Sequence, residues 1–459
     1  MDSITNIINK QRAFFKSQQT KDVAFRLQLL KSLKTEIESN EQAIFDALNK
    51  DFKKSEFESY LSELGLVLSE LNLVIKNLKK WTKPKRVKSS LLTFPSKDYI
   101  YKSPYGNTLI IAPWNYPFLL AMEPLIMSFA AGNTIVLKPS ELTPNTSRLV
   151  TQIISNVFPE AVAICIEGDA EVAKQLLNKK WDFIFFTGST KVGKRVAQAA
   201  ASTLTPVVLE LGGKSPCIID ESVNLKLIAR RLVWGKFLNG GQTCIAPDYV
   251  LVKSNIKKHL IEALKAEIVK RYTSTPIQSP DFPRIIDKKN TQRLSNLISG
   301  LNVPFGGDIN LEETYISPTL IDNPPLHHPL MREEIFGPIL PIIAFDNEQD
   351  IEKIIWSLDT PLALYVFSTN QVFVESILSK FSFGGGVIND LLIHFGNQRL
   401  PFGGVGHSGM GKYHGKYGFD TFSHDKSIIK RGISTDPSVR YAPYAGKLNH
   451  LKKIFKWLG

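Results

Sequence analysis

The chain has 459 residues, of which 43% are hydrophobic and 22% are charged, an ordinary composition for a globular protein that can bury a large core. Its net charge of +13 suits nucleic acid or an anionic membrane, but no RNP, zinc-finger or helix-turn-helix signature accompanies that charge, so nucleic-acid binding is not expected. The three cysteines, Cys165, Cys217 and Cys244, form no CxxC pair, which argues against disulfides or structural zinc and favours a reducing compartment.

The N-terminal segment "MDSITNIINKQRAFF" lacks the apolar core of a signal peptide, and we expect a cytoplasmic protein. Residues 1–80 are predicted to be helical. Six apolar residues recur there at spacings of three and four, which places them on one helix face: Leu61, Leu64, Leu68, Leu71, Ile75 and Leu78. Ser55 and Glu58 have the spacing of a capping box before this run. The apolar region 108–137 is interrupted by polar residues and prolines, so no membrane span is expected.

From residue 105 onward, short apolar segments alternate with helical stretches. The segments "TLIIA", "TIVLK", "AVAICIE", "DFIFFT" and "PVVLEL" are rich in Val, Ile or Phe, as buried parallel strands are. They predict a doubly wound α/β domain over 105–210. A second α/β series is predicted over 211–400, with strands at "YVLVK" and "LPIIAF". The glycine-rich "LPFGGVGHSGMGKYHGKYGF" that follows indicates loops.

A candidate phosphate site follows the predicted strand "DFIFF". The segment "TGSTKVGKRVAQAA" has the glycine turn and helix that bind an anion at a helix N-terminus. The fingerprint GxGxxG is absent, because four residues separate Gly188 from Gly193. The stretch from Gly188 to Lys194 also matches P-loop spacing, but Arg195 stands where a P-loop has its magnesium-binding hydroxyl. A glycine turn that only starts a helix is the remaining alternative.

Polar side chains stand at the ends of several predicted strands, where α/β sheets carry functional groups. Glu210 lies in "PVVLEL", Asn115 follows "TLIIA", and Lys138 and Glu141 lie at the end of "TIVLK" or just after it. Each has a structural alternative, an ion pair for the charged residues and a turn for the asparagine. Cys244 follows a glycine pair in "FLNGGQTCIAP"; a lone cysteine is more often a small buried residue than a nucleophile.

Seven motifs occur together in one order: "PWNYP", "LKPSE", "FTGST", "LELGGK", "GQTC", "EEIFGP" and "LPFGGVGHSGMGKYHG". In this combination the chain resembles the aldehyde dehydrogenase superfamily, and most of all its shorter, class 3 type. The resemblance implies an α/β fold with a Rossmann-like cofactor domain, an α/β catalytic domain and a small β oligomerisation arm. The implied boundaries are 1–85 and 105–210 for the cofactor domain, 211–405 for the catalytic domain, 86–104 and 418–432 for the bridging strands, and 433–459 for a basic amphipathic tail.

The resemblance also implies the chemistry, which is NAD(P)-dependent oxidation of aliphatic or aromatic aldehydes to carboxylic acids. Cys244 would be the nucleophile that forms a thiohemiacetal and then a thioester. The amide of Asn115 and the N–H of Cys244 would hold the oxyanion. Glu210 would activate the water that hydrolyses the thioester. Family members that transfer the acyl group to coenzyme A generally lack this glutamate, so a free acid is the expected product.

The resemblance implies these cofactor-binding residues: Trp114, Lys138, Glu141, Thr187, Gly188, Ser189, Gly193, Leu211, Glu334 and Phe336. Lys138 and Glu141 match contacts to the adenosine ribose. Glu334 and Phe336 match contacts to the nicotinamide end. A carboxylate at Glu141 repels the 2′-phosphate of NADP, so NAD is favoured, although class 3 relatives can often use NADP. A homodimer is implied as well, and no metal is expected.

Five further residues are assigned mainly structural roles. Cys165 and Cys217 lie in apolar segments and are expected in the core. His328 and its neighbour His327 have no second ligand cluster at metal spacing, so a metal site is not expected there. His394 either lines the substrate entrance or makes a structural hydrogen bond.

The tail from Lys447 to Leu458 places apolar residues at helical spacing with lysines between them: Leu448, Leu451, Ile454, Phe455 and Leu458. Such a helix can lie on an anionic membrane or dock on its own protein. Gly240 departs from the family, since many relatives have alanine or serine there. Two other functions remain open, a coenzyme A-acylating or semialdehyde-specific dehydrogenase and a catalytically inactive basic surface-binding protein. Intact Cys244, Glu210 and Asn115 argue against the second.

Overall fold

The computed structural model describes residues 3–434 and 436–458. Its helices are α1 (Ser3–Lys16), α2 (Val23–Ser39), α3 (Glu41–Phe52), α4 (Glu56–Ser59), α5 (Gly65–Trp81), α6 (Leu119–Ala131), α7 (Pro144–Val157), α8 (Ala170–Leu177), α9 (Thr190–Ala201), α10 (Leu225–Phe237), α11 (Lys257–Tyr272), α12 (Lys288–Ile298), α13 (Pro329–Arg332), α14 (Glu348–Ile355), α15 (Gln371–Lys380), α16 (Gly415–Thr421) and α17 (Leu448–Leu458). The strands are β1 (Lys85–Val87), β2 (Ser96–Pro104), β3 (Asn107–Ile111), β4 (Thr134–Lys138), β5 (Ala163–Cys165), β6 (Phe183–Thr187), β7 (Val207–Glu210), β8 (Pro216–Ile219), β9 (Tyr249–Lys253), β10 (Ile309–Asn310), β11 (Tyr315–Ile316), β12 (Thr319–Asp322), β13 (Ile339–Phe345), β14 (Ala363–Phe367), β15 (Gly385–Ile388), β16 (Gly409–Met410) and β17 (Ser423–Arg431).

The five apolar segments predicted as parallel strands form one sheet, in the order β7-β6-β3-β4-β5. The chain starts at the central strand β3, winds outward to β5 and then returns to the other side. This is the doubly wound arrangement, and it confirms the predicted fold class. The two-residue strand β16 adds an antiparallel edge to β7 from far along the sequence.

Alternating residues of this sheet face two different cores. Ile110 packs in the cluster that contains α6 and α7, whereas its neighbours Leu109 and Ile111 pack with Ile8 of α1 and Val196 of α9. Because both faces are covered, every position of these strands favours an apolar residue. That is why the strands read in the sequence as continuous apolar runs.

The second sheet is parallel as well, in the order β12-β13-β9-β8-β14-β15. One of its faces packs on α14 and α15, and the other packs on α10 and α11. The predicted strands "YVLVK" and "LPIIAF" correspond to β9 and β13. The nucleophile candidate Cys244 lies in the loop between α10 and β9.

A small antiparallel sheet, β1-β2-β17, lies apart from the two parallel ones. Strands β2 and β17 pair over nine residues each, from Ser96 opposite Arg431 to Pro104 opposite Ser423. Most side chains of β17 are exposed and the strand forms one edge of the sheet. Within the range 418–432 expected for a bridging strand, residues 418–421 instead complete α16.

A π-helical turn, Tyr60–Leu64, joins α4 to α5 and changes the predicted helix face. Ser55 accepts a hydrogen bond from the N–H of Glu58 at 3.3 Å, as the capping-box spacing predicted. Leu64 is buried, but Leu61 is exposed, although the periodicity placed both on the core face. A π-turn contains an extra residue and rotates the side chains before it. Leu61 is therefore turned out of the core.

The C-terminal helix α17 lies on the surface, with its described side chains exposed. Thr435, Gly459 and the side chain of Leu458, which belong to the predicted tail, lie outside the described residues. In the described part of the chain, no helix combines the length and the apolar character needed to cross a bilayer.

The turn before Cys244 has left-handed backbone at Gly240 (φ 62°) and Gly241 (φ 74°). A Cβ on Gly241 would lie 2.3 Å from the carbonyl oxygen of Gly337, whereas the nearest atom to a Cβ on Gly240 is 3.4 Å away. We therefore expect Gly240→Ala to lower the unfolding free energy by about 1–2 kcal/mol, the strain of the left-handed conformation. Gly241→Ala adds a backbone clash and should cost about 3 kcal/mol or more.

Thermal or urea-induced unfolding of the two variants measures this difference. Equal destabilisation by the two alanines would contradict the close approach of Gly241 to Gly337.

Candidate active site

Glu210 ends β7 and its backbone is fixed from both sides. Its register partners are Thr187 of β6 and Gly409 of β16. The side chain is buried, and neither carboxylate oxygen has a hydrogen-bond partner within residues 3–434 and 436–458. Loss of hydration raises the pKa of this carboxyl well above its ordinary range. A carboxylate left without partners in a cavity is free to take a proton from a substrate or water.

Cys244 follows the short helical turn Leu238–Gly241 and lies partly exposed on the cavity wall. Burial, followed by the charges of Glu334 and Glu210, raises the pKa of its thiol above the ordinary value. The backbone N–H groups of Cys244 and Ile245 oppose this rise by hydrogen bonding to the sulfur. The thiol is therefore held mostly protonated, and it needs a base before it can attack a carbonyl carbon.

Asn115 lies against the same turn. Its side-chain Nδ2 donates to the backbone carbonyl oxygen of Gln242 at 3.1 Å. The backbone carbonyl oxygen of Asn115 accepts from Nδ2 of Asn239 at 2.7 Å. The hydroxyls of Tyr116 and Thr243 are 2.6 Å apart and add a second link between the two segments. An amide group has two N–H donors, so one remains for an oxyanion beside Cys244.

A cavity of about 560 Å³ leads to Cys244 and Glu210. Apart from the residues at its inner end, its walls are almost entirely apolar. The residues that line it are Leu61, Ser62, Leu66, Tyr116, Leu119, Leu120, Thr187, Glu210, Trp234, Leu238, Thr243, Cys244, Ile245, Leu392, Ile393, Phe395, Gly396, Asn397, Phe402 and Tyr413.

An outer cavity of about 710 Å³ shares Leu61, Trp234, Leu238 and Ile393 with the inner one. The two spaces are therefore neighbours that share one wall. The outer cavity is more polar and carries Arg230, Arg231, Lys270 and Arg271 together with Glu58, Asp281 and Asp390. The apolar path to Cys244 thus borders a surface with charges of both signs.

A third cavity, of about 240 Å³, also reaches Cys244 and Glu210. Ten of the residues predicted for catalysis and cofactor binding line it: Trp114, Asn115, Thr187, Gly188, Ser189, Glu210, Leu211, Cys244, Glu334 and Phe336. The side chains of Trp114 and Phe336 pack edge to face at 5.2 Å between ring centroids. Burial raises the pKa of Glu334 to about 8, with Asp248 adding to the rise.

The features of this third cavity fit a dinucleotide. Ser189 occupies the N-cap of α9 without a side-chain capping bond, which leaves N–H groups of the first turn for a phosphate. A Cβ on Gly212 would lie 2.2 Å from the carboxylate of Glu334, so only glycine lets that carboxylate lie against the backbone. A carboxylate held there can accept hydrogen bonds from ribose hydroxyls.

Three predicted cofactor residues lie outside the wall of this cavity. Lys138 and Glu141 form an ion pair with 2.6 Å between Nζ and Oε2, with Lys138 buried and Glu141 exposed. Gly193 lies in the first turn of α9, where a Cβ would be 2.6 Å from the side chain of Leu211. Its visible role is close packing of the helix.

Lys214 and Arg293, which fix the segment around Glu334, were not predicted from the sequence. Lys214 pairs with Asp248, and its Nζ also donates to the carbonyl oxygens of Leu330 at 2.8 Å and Glu333 at 2.9 Å. Arg293 lines the third cavity and donates to the carbonyl oxygen of Ile335 at 2.6 Å. Lys214 belongs to the motif "LELGGK", which could have identified it, whereas Arg293 lies in none of the seven motifs.

The remaining candidates have structural surroundings. Cys165 and Cys217 are buried in strands of the two parallel sheets, as predicted. His328 caps α13 by accepting from the N–H of Leu330 at 3.2 Å, and no metal-binding cluster occurs among the described residues. His394 stacks on Phe402, and its ring nitrogens have no hydrogen-bond partner in the described chain. Neither role predicted for His394 is therefore seen.

Comparisons with known proteins agree with this geometry. The sequence model of the aldehyde dehydrogenase family matches residues 2–428. The chain is 47% identical to the 4,4'-diaponeurosporen-aldehyde dehydrogenase of Staphylococcus aureus (strain NCTC 8325 / PS 47), over 98% of this chain and 100% of that one. It is 40% identical to the dimeric NADP-preferring aldehyde dehydrogenase of Mus musculus, over 98% and 99% of the two chains.

The solved structure titled the substrate-bound state of Staphylococcus aureus AldH superposes on this chain with a TM-score of 0.97. The two are 46% identical, and the match covers 99% of this chain and 100% of the other. The resemblance drawn from the seven motifs is confirmed by these matches. The chain therefore belongs to the aldehyde dehydrogenase family.

Proposed function

We propose that this NAD(P)-dependent aldehyde dehydrogenase oxidises a long apolar aldehyde to the free carboxylic acid, with Cys244 as nucleophile and Glu210 as general base. One observation carries the proposal. Cys244, Glu210 and Thr187 line both the apolar cavity and the cavity suited to a dinucleotide. A carbonyl carbon bound at Cys244 is thus accessible from both sides.

The first chemical step belongs to Cys244 and Asn115. With its proton passed to Glu210, directly or through a water, the sulfur attacks the carbonyl carbon and forms a C–S bond. The negative charge that develops on the carbonyl oxygen is held by the Asn115 amide and the N–H of Cys244, and losing such a donor typically costs on the order of 10²–10³ in rate. A dinucleotide held by the residues of the third cavity would supply the hydride acceptor for that carbon.

The second step belongs to Glu210. Once the proton taken from the thiol has been released to solvent, its carboxylate takes a proton from a water and the hydroxide adds to the thioester carbon. The C–S bond then breaks with the sulfur leaving as thiolate, which takes up the proton held by Glu210. The products are a carboxylic acid and regenerated Cys244. Because Glu210 has no fixed partner among the described residues, its carboxylate can serve the thiol first and the water later.

We favour NAD as the cofactor. Glu141, paired with Lys138, supports this preference, because a carboxylate near the ribose 2′-hydroxyl repels a 2′-phosphate. The mouse relative is named as NADP-preferring, so NADP is the alternative. Comparison of kcat/KM for the two cofactors distinguishes them.

Two variants test the residue roles. Glu210→Gln should slow both the NADH burst and steady-state turnover by at least about 10²-fold relative to wild type, because it removes the base for thiol activation as well as for thioester hydrolysis. Cys244→Ser should give neither burst nor turnover. Stopped-flow absorbance at the NADH band measures both.

A Cys244→Ser enzyme that oxidises aldehydes at the wild-type rate would contradict the assignment of the nucleophile. Acyl transfer to added coenzyme A without acid formation would favour the acylating alternative. The exposed Val372→Ala substitution lies far along the chain from the catalytic residues and serves as the control.

A substrate series tests the apolar path. For unbranched aldehydes of increasing length, kcat/KM should rise with each added methylene. The corresponding gain in transition-state binding free energy is up to about 0.8 kcal/mol per buried CH₂. Leu61→Asp, at the wall shared by the two cavities, should lower kcat/KM for long aldehydes and leave propanal unchanged. Equal loss for short and long aldehydes would contradict the proposed path.

We also propose contact of α17 with an anionic membrane surface on the cytoplasmic side, and a homodimer. Trp457 and Phe455 are 86% and 54% exposed, and Lys452, Lys453 and Lys456 supply positive charge on the same helix. This combination matches a helix that lies in the interface of an anionic bilayer. The free edge of β17 supports pairing with a second copy.

Vesicle sedimentation tests the membrane contact. The wild type should bind vesicles with 30% anionic lipid and release at high salt, whereas Lys452→Glu/Lys453→Glu/Lys456→Glu should bind at least about 10-fold more weakly, since each lysine near the surface contributes about 1 kcal/mol. Equal binding to neutral vesicles would contradict the electrostatic part. If the variant instead loses its dimer mass in light scattering, the tail serves the dimer and not a membrane.

A further inference from the structure

The N-terminal helical segment presents two buried carboxylates to the loops that carry the catalytic residues. Glu58 and Glu63 lie five residues apart. Glu58 lies in α4, just before the π-turn Tyr60–Leu64, and Glu63 lies within that turn. In a π-turn, residues five apart are brought near one another on one side of the helix. The two side chains can therefore reach into the body of the protein together.

Glu63 binds the segment that follows Asn115. One of its oxygens accepts from the N–H groups of Phe118 at 2.9 Å and Leu119 at 3.2 Å, at the start of α6. The other oxygen pairs with Nζ of Lys54 at 2.7 Å, and both of these side chains are fully buried. This pair fixes the position of α6 relative to the N-terminal helices.

Glu58 binds the turn that leads to Cys244. Its Oε1 accepts from the backbone N–H of Asn239 at 2.8 Å. Asn239 has left-handed backbone, with φ 53°, which is uncommon for a residue with a side chain. Its Nδ2 in turn donates to the carbonyl oxygens of Asn115 at 2.7 Å and Gln242 at 3.2 Å. Two hydrogen bonds thus connect the Glu58 carboxylate to Asn115.

We propose that Glu58 is a positioning residue: it holds Asn239 in its left-handed conformation and, through Asn239, fixes Asn115 for oxyanion binding beside Cys244. The inference rests on the proposed role of Asn115. The hydrogen-bond path from Glu58 to Asn115 runs through Asn239.

The surroundings of Glu58 make this bond difficult to replace. Asn239 is fully buried, so water does not readily replace a lost acceptor at its N–H. Burial raises the pKa of the Glu58 carboxyl to about 7, and Lys54 and the N–H of Asn239 oppose that rise. The bond from Asn239 needs an oxygen at the right distance and not a charge, because a neutral carbonyl oxygen accepts equally from an N–H.

Two substitutions separate the effect of the position of the acceptor oxygen on residue 58 from the effect of its charge. Glu58→Gln keeps an oxygen acceptor at the same reach and removes the charge, whereas Glu58→Asp keeps the charge and withdraws the acceptor by one methylene. With propanal, which is too short to extend into the outer cavity, we expect kcat of Glu58→Gln to stay within about twofold of wild type. Glu58→Asp should lose about 10- to 100-fold in kcat with KM unchanged, as expected for a misplaced catalytic group.

A measurement independent of turnover accompanies the kinetics. Hydrogen–deuterium exchange of the peptide that contains residues 238–243 should be faster in Glu58→Asp than in wild type and unchanged in Glu58→Gln. The matched control is Glu56→Asp, an exposed carboxylate on the same helical segment, which should change neither exchange nor kcat. Asn239→Gly tolerates the left-handed backbone but lacks the side-chain donor, so it should lose kcat like Glu58→Asp, and the two losses should not add.

The outcomes are distinguishable. Wild-type kcat in Glu58→Asp, or an equal loss in Glu58→Gln, would overturn the proposal, as would a rise in KM in place of the fall in kcat. If Glu58→Asp unfolds, Asn239→Gly and the exchange data of Glu58→Gln still decide it. If wild-type protein shows no Cys244-dependent oxidation, the proposed function fails, while the exchange data still test the Glu58–Asn239 link on their own.

Discussion

The left-handed turn at Asn239, Gly240 and Gly241 is the constraint on which the site depends. The turn takes the chain from the end of α10 to Cys244 within a few residues, with φ between 53° and 74° at all three positions. Glycine adopts this conformation without strain, but Asn239 does so at a cost of about 1–2 kcal/mol. The cost is offset by hydrogen bonds that the turn makes to segments distant in sequence.

Those hydrogen bonds bring together the parts of the site. Nε2 of Gln242 donates to the carbonyl oxygens of Asn239 and Arg284, and its Oε1 accepts from the N–H of Ile286 at 2.9 Å. Gly241 packs directly on the backbone of Gly337, next to the turn that carries Glu334. The turn before Cys244, the loop at residues 284–286 and the segment at Gly337 are thus fixed against one another by close contacts, which tolerate little adjustment.

The sequence predicted the parts whose signal is local. Strands β3 to β7 were predictable as continuous apolar runs because both faces of their sheet are covered. Glu210 and Asn115 were recognisable as candidates because each lies at the end of such a run or just past it. The motifs then united them with Cys244. The exposure of Leu61 was not predictable from periodicity, since the π-turn that rotates it has no sequence signature of its own.

The long-range contacts that hold these side chains in place were also not predictable from the sequence. Glu58 lies 181 positions before Asn239, and Lys214 lies 116 before Leu330, so their partners are set by the tertiary fold alone. Glu58 was assigned to a capping box, and its N–H does bond Ser55, while its side chain serves another segment. A local sequence pattern can therefore predict the backbone hydrogen bond of a residue correctly without predicting the partner of its side chain.

The two carboxylates nearest the thiol differ in what surrounds them, and this difference separates their roles. Glu334 has the backbone of Gly213 and the cations Lys214 and Arg293 to moderate the rise of its pKa, and these contacts also fix its position. Glu210 has only desolvation acting on it. A carboxylate with fixed partners suits the holding of a ribose, and one without partners suits proton transfer, because a moving proton needs an acceptor that is not already committed. The same burial that makes Glu210 costly to the fold is what keeps it available for the reaction.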